Sequence, residues 1–153
     1  MGSSVVVRKI AEYDIPTILE MQQELDDYHA ELRPDLYRKG FCNLTDTDLR
    51  NANKIIYVAT VNSKVIGYIV ATKASYNVRS SKSDLFMHIE WLFIKELFRG
   101  QGVGTLLMKR IFEDAKLMGI NRVTFNVLNG NPAIKMYEKL GATVVSSQME
   151  IKI

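Results

Sequence analysis

Three glycines in five positions, Gly100, Gly102 and Gly104, constrain this chain more than any other feature. Before them lies the apolar, strand-like run Leu85–Ile94. After them Val103, Leu106, Leu107, Ile111, Ala115 and Met118 recur at helical spacing until Gly119 stops the pattern. The segment Arg99-Gly100-Gln101-Gly102-Val103-Gly104-Thr105 is therefore read as a strand-to-helix turn. Glycines there let the backbone approach a ligand and turn its N–H groups toward it. The helix behind adds a positive dipole end of about half a charge. A pyrophosphate is the natural guest. The dinucleotide fingerprint G-x-G-x-x-G fails, because Thr105 occupies its third glycine position counted from Gly100. The P-loop pattern fails as well, since no Gly-Lys-Ser/Thr follows. A tight turn without a ligand is the plain alternative for a glycine cluster standing alone.

The rest of the pattern predicts an α/β fold with a mixed sheet. Val5–Ile10 reads as a first strand. Asp14 is a candidate helix cap, Pro16 fits a first turn, and Ile15, Ile18, Leu19, Gln22 and Leu25 carry a helix to about His29. Arg33-Pro34-Asp35 interrupts it. A weaker helix is expected over Asp46–Asn53, capped by Thr45 or Asp46. Ile55–Val61 and Val65–Ala74 form a hairpin across Asn62-Ser63, and Tyr76–Asp84 reads as an exposed loop. Arg122–Leu128 is a further strand. Asn131-Pro132 opens a short helix with Ala133, Met136, Tyr137 and Leu140 on one face and Gly141 beyond its end. Thr143–Ser147 and Gln148–Ile153 supply closing strands. The expected order is β-α-α-β-β-β-α-β-α-β, and residues 1–153 are read as one domain.

Composition narrows the function classes. Apolar residues make up 47% and charged residues 24% of the 153, the balance of an ordinary globular protein. The net charge of +3 comes from scattered Lys and Arg rather than a basic stripe, so no nucleic-acid partner is expected. Cys42 is the one cysteine, which excludes an internal disulfide and a multi-thiolate metal site and fits a reducing compartment. Inert filler is its plainer reading, beside Phe41. The N-terminus lacks a signal-peptide layout and has Val6 where a myristoylation signal needs Ser or Thr, and no apolar run approaches a membrane span. The expectation is a cytoplasmic protein with no membrane partner.

Arg99-x-x-Gly102-x-Gly104 resembles the Arg/Gln-x-x-Gly-x-Gly/Ala signature of the GNAT superfamily of N-acetyltransferases. The strand Ile89-Glu90-Trp91-Leu92-Phe93-Ile94 stands at the expected distance upstream, and the segment from Asn131-Pro132-Ala133 to Tyr137-Glu138-Lys139-Leu140-Gly141 is similar to the family's late helix. The resemblance runs from Val5 onward, with the specific motifs in Glu90–Gly141. It implies a single-domain GNAT-like fold: a mixed, mostly antiparallel central sheet with a splayed pair of central strands and flanking helices. It also implies acetyl-coenzyme A as cosubstrate, an amine acceptor, no metal and an expected homodimer. Backbone groups of Leu92, Phe93 and Ile94 would bond the pantetheine arm. Arg99, Gly100, Gln101, Gly102, Val103, Gly104 and Thr105 would hold the pyrophosphate.

Acetyl transfer to an amine poses two proton problems, because the amine must lose a proton and the departing thiolate is better expelled if it gains one. Glu90, an acid inside an apolar strand, aligns with a strand glutamate that serves as base in part of the family. Its plain alternative is a structural ion pair. Tyr137 aligns with the tyrosine that points at the cofactor sulfur, its alternative being a core tyrosine. The family often has an asparagine seven residues before that tyrosine; here the position is Gly130, so the role passes to Asn131 or to Asn129. His88 could join a proton relay or be structural. The acidic stretch Glu24, Asp26, Asp27 and Glu31 would favour a cationic acceptor, or simply be a solvated helix end. Acceptor specificity is expected in Gln22–Asn53 and Tyr76–Asp84. A coenzyme-A-binding sensor or regulatory module without transferase activity is the alternative function.

Overall fold

The computed structural model describes residues 4–76 and 85–153. Five strands form one sheet in the order β1-β2-β3-β4-β5, with β1 at Val6–Lys9, β2 at Lys54–Val61, β3 at Lys64–Ser75, β4 at Leu85–Ile94 and β5 at Val123–Phe125. The first four pair antiparallel, and β5 joins β4 in parallel. The expected mixed, mostly antiparallel sheet is therefore present. Asn62 and Ser63, both at positive φ, make the two-residue turn between β2 and β3, as the hairpin reading requires.

Strand alternation sorts the apolar side chains into two layers. Helix α1 (Ile15–Leu32) and the short α2 (Asp46–Leu49) cover one face, where Ile15, Ile18, Met21 and Leu49 pack on Ile56, Val58, Tyr68, Val70 and Phe93. Helix α3 (Val103–Leu117) covers the other, setting Val103, Leu107, Met108, Ile111 and Ala115 against Tyr57, Ile69, Met87 and Ile89. Helix α4 (Ile134–Lys139) joins this second layer through Tyr137 and Leu140.

Local chemistry sets the ends of these elements. Thr45 caps α2 by accepting from the Asp48 N–H, and Asp48 returns the bond to the Thr45 N–H. Asp14 stands before α1 but does not cap it, contrary to the sequence reading. Its carboxylate, 2% exposed, accepts instead from both Arg8 guanidinium NH groups, at 2.7 and 3.0 Å, and from the Ala11 N–H. It thereby fastens β1 to the start of α1.

Four expected elements are shorter or missing. The second helix ends at Leu49 rather than Asn53. β5 spans three residues instead of Arg122–Leu128, because β4 pairs with it only over Met87–Ile89 and no other described strand lies beside it. The closing strands over Thr143–Ser147 and Gln148–Ile153 do not form. Their alternation suits a strand, but pairing needs a neighbour, and past Ala142 no backbone group bonds to a described residue. The expected loop Tyr76–Asp84 lies, after Tyr76, outside the described residues. Among the described residues no helix is long and apolar enough to cross a membrane.

Burial alone would push the Asp14 carboxyl up, but Arg8 and the Ala11 N–H outweigh it and hold the group below the usual carboxylate range. A depressed carboxyl stabilises the fold above its unfolded value of about 3.9, and the stability is lost as pH falls through the folded value. Asp14→Asn should cost about 2 kcal/mol in urea melts at pH 7. The difference from the parent should shrink below about pH 4; a gap that does not change with pH would remove the ionic contribution.

Candidate active site

Two features of β4 create an opening. The strand pairs with β3 along its whole length, while β5 follows it only to Ile89, so from residue 90 onward one edge of β4 is free of β5. At the same point the ladder slips: Val70 faces Trp91 and Ala71 faces Ile89, leaving Glu90 as the bulged residue. Beyond the slip, Lys95 donates its N–H to Ile66, and residues in an antiparallel ladder alternate in direction. Phe93 therefore bonds β3 in the same phase as Lys95, whereas Leu92 and Ile94 aim their N–H and C=O groups into the opening. Of the three residues expected to bond an extended arm, Phe93 is thus turned away.

The glycine turn closes one end of this opening. Gly100 and Gly102 take φ of 74° and 83°, and nothing lies within 4 Å of where a Cβ would stand on either. The first turn of α3 starts at Val103, leaving the N–H groups of Val103, Gly104 and Thr105 without helical partners. Gly104 has a different task. A Cβ on it would meet Met136 Sδ at 3.0 Å, so its bareness lets α4 approach the start of α3. Arg99 folds back, its Nε donating to the Ile94 carbonyl at 2.8 Å and its guanidinium lying 5.5 Å from the Phe93 ring centre. Gln101 Nε2 donates to the Leu97 carbonyl.

Glu90 is 26% exposed and anchored. Lys54 Nζ reaches its two carboxylate oxygens at 2.7 and 2.9 Å, and the Thr72 hydroxyl donates to Oε1. Lys54, Thr72, His88 and Thr124 form one row across the sheet by register, on the face that carries α1. His88 Nδ1 and Thr124 Oγ1 are 2.8 Å apart, joining β4 to β5 just where the strands part. His88 and Glu90 share a face, as alternation implied, but engage different partners, and His88 serves as a clasp between strands. Lys54, Thr72 and Thr124 went unnoticed in the sequence, because strand register decides their neighbours. The one available signal was a lysine at the mouth of an apolar strand.

Tyr137 sits on the opposite, α3 side, its ring centre 4.4 Å from that of Phe125. Burial raises its hydroxyl above the ordinary tyrosine value. Asn131 Oδ1 accepts from the Ala133 N–H at 2.9 Å, so this side chain opens the α4 segment and keeps only its amide N–H groups for another partner. Gly130 has φ of 82°, the left-handed backbone that excludes most side chains there.

The acidic stretch of α1 is divided by the fold. Asp26 is 4% exposed, accepting from Gln22 Nε2 and from the backbone and side-chain N–H groups of Asn43, and so belongs to the interior rather than to any lip. Glu20, Glu24 and Asp27 line a groove of about 420 Å³ with Thr17, Met21, Gln23 and Lys95. Among the described residues no His, Cys, Asp or Glu group could hold a metal ion.

The family model described as acetyltransferase (GNAT) family matches residues 18–142. Over 149 residues the chain is 27% identical to a thialysine N-epsilon-acetyltransferase of Sus scrofa, covering 92% of this chain and 85% of that one. Over 58 residues, 37% of this chain and 25% of the other, it is 38% identical to an L-ornithine N5-acetyltransferase of Arabidopsis thaliana. Among solved structures, a Bacillus halodurans protein in tetramutant form superposes with a TM-score of 0.88 at 19% identity, covering 97% of this chain and 99% of that one. An aminoglycoside acetyltransferase from an uncultured soil sample gives 0.69 at 17% identity, covering 97% and 95%. Such likenesses show the fold.

The Gly104 contact yields a prediction. Gly104→Val should cost about 1–3 kcal/mol in chemical denaturation by overpacking against Met136. Unchanged stability would mean that α4 yields freely and that the glycine is not needed for packing.

Proposed function

Because this chain belongs to the acetyltransferase (GNAT) family, we propose that it moves an acetyl group from acetyl-coenzyme A to the primary amine of a small cationic acceptor, by direct attack with both substrates bound. One observation carries the reading: a left-handed glycine turn at the start of α3 stands beside a strand edge left open from residue 90. A phosphate-bearing ligand with an extended arm fits those donors. Residues 100–105 would hold the pyrophosphate, with Arg99 adding charge, and Leu92 and Ile94 would bond the arm as a neighbouring strand would. When bound, acetyl-coenzyme A supplies an activated thioester and a thiolate leaving group.

The chain's own groups supply the proton handling. An alkylamine with a pKa of about 10.4 must shed a proton before it attacks. Glu90 would take that proton, directly or through a water. Its carboxylate offers roughly four acceptor directions, of which Lys54 and Thr72 fill three, leaving one on Oε2. Tyr137 would donate to the departing sulfur, and its raised value keeps the hydroxyl protonated throughout the neutral range. Asn131 would keep its remaining amide N–H groups for the coenzyme arm. The groove of Glu20, Glu24 and Asp27 favours a cation, which agrees with the amino-acid amines named for the two relatives.

Calorimetric titration of acetyl-coenzyme A should show binding in the micromolar range. Thiol release with a panel of diamines and basic amino acids should then identify acceptors. Gly102→Glu should abolish binding by placing bulk and negative charge in the cradle; binding that persists would displace the site. Tyr137→Phe should keep cofactor affinity and lower turnover at least about tenfold, within the range of general-acid contributions. Binding without turnover on any amine would favour the sensor reading.

A further inference from the structure

Glu90 is not a bare carboxylate. Lys54 Nζ reaches its Oε1 at 2.7 Å and its Oε2 at 2.9 Å across β3, and the Thr72 hydroxyl donates to Oε1. The pair joins residues 36 apart in sequence, and it forms only with β2, β3 and β4 in register and Glu90 on the bulge. Its side chains are 15% and 26% exposed, so water and salt screen the charges only in part. Withdrawing an ammonium from water is costly, and such a pair is weak evidence for stability. An apolar side chain at position 54 would have continued the face of Ile56 and Val58 without that cost.

The other ionisable groups near this row have partners of their own. Asp48 of α2 lies within range of the Lys54 charge but accepts from the Thr45 N–H and hydroxyl. His88 of β4 turns Nδ1 to Thr124 of β5. The acid of α1 that faces inward, Asp26, is held by Gln22 and Asn43. Among the described residues Lys54 is the one cation in ion-pair contact with Glu90.

We propose that Lys54 is a positioning residue that acts through Glu90 to keep the acceptor amine in its neutral, attacking form; this rests on the acetyl transfer proposed above. An alkylammonium beside a lone carboxylate gains an ion pair, and opposite charge favours the charged form. A bare Glu90 would thus hold its substrate as the unreactive cation. Lys54 cancels that attraction. An amine hydrogen-bonded to the remaining direction of Oε2 stands on the order of 5 Å from Lys54 Nζ, where like charge disfavours its protonated form. The ammonium proton passes to Oε2, the carboxylate becomes a carboxylic acid, and the nitrogen keeps the lone pair with which it attacks. Attraction of the cation is left to Glu20, Glu24 and Asp27, while the pair at the base is neutral overall.

Lys54→Met keeps the length of the side chain and removes its charge. With the best amine of the panel, KM for the amine should fall about threefold while kcat falls about tenfold or more, the pattern of a substrate held too well in its ground state. The rising limb of the kcat profile should move to higher pH, because the bound amine then titrates beside an unopposed carboxylate. Lys54→Arg should recover the parental kcat, KM and profile, and calorimetric affinity for acetyl-coenzyme A checks that each variant is folded. An unchanged kcat, a KM that rises, a profile that stays in place or an arginine variant no better than the methionine one would reduce the pair to a structural tie and overturn the proposal. Glu90→Gln at parental turnover would instead remove Glu90 as the base, and a parent that acetylates no amine would remove the transfer itself; either result takes the role of Lys54 with it.

Discussion

Everything distinctive about this molecule follows from β4 having one faithful neighbour and one that leaves. Pairing with β3 runs from Leu85 to Ile94, whereas β5 departs after Ile89. A buried strand edge stripped of its partner would normally be costly, because its N–H and C=O groups lose their bonds. Here the groups left without a strand partner, on Leu92 and Ile94, lie toward the start of α3, and Arg99 Nε already donates to the Ile94 carbonyl. The bulge at Glu90 falls at the same residue, and a bulge both turns a side chain and strengthens local twist. One irregularity thus parts the strands and presents a carboxylate where they part. The His88–Thr124 pair clasps β4 to β5 one residue before their last pairing, Ile89 with Phe125.

The glycines share the work unequally, and physical space tells them apart. Gly100 and Gly102 need their left-handed backbone and have emptiness around them, which suits a ligand. Gly104 has ordinary helical backbone and a methionine against it. Gly67, opposite Ile94, is a third kind: a Cβ there would lie 2.7 Å from the Phe93 carbonyl oxygen, so β3 can pass β4 closely only without a side chain. A pattern of glycines in sequence merges these roles, since one residue type answers a backbone angle, a ligand and a neighbouring helix alike.

That ambiguity explains which parts of the molecule were legible in the sequence. The hairpin at Asn62-Ser63, the helix from Val103 and the strand Leu85–Ile94 were readable because local periodicity and turn chemistry determine them. The glycine turn was readable from motif spacing, and the place of Tyr137 on the packed face of α4 from helical periodicity. What escaped depends on register and tertiary pairing. Lys54 meets Glu90 only because β2, β3 and β4 align, and Asp14 forgoes capping because Arg8 of β1 arrives beside it. The final strands failed for the same reason: alternation describes a side chain's preference for a sheet, and a sheet needs a second strand. Phe93 differs from Leu92 and Ile94 only in the phase of the ladder.

The acids of α1 show how far charge in a sequence is from charge at a site. Glu24, Asp26, Asp27 and Glu31 look like one negative patch. In the fold Asp26 is withdrawn into the interior, where its four-residue neighbour Gln22 and the Asn43 amides surround it with neutral donors. Asp27 accepts from Gln23 and from the Gly40 N–H, which ties the chain beyond α1 back to the helix. Glu31 lies within 3.5 Å of Lys39. What remains toward the groove is Glu24 with Glu20, one turn earlier, and the outer face of Asp27, opposite Lys95. Asp26 therefore holds Asn43 in place, and under the proposed function the attraction for a cation would fall to residues spaced along one helical face. On that proposal, a positively charged amine entering there would meet fixed carboxylates on a helix packed against the sheet, so its attraction would not be offset by ordering a flexible lip.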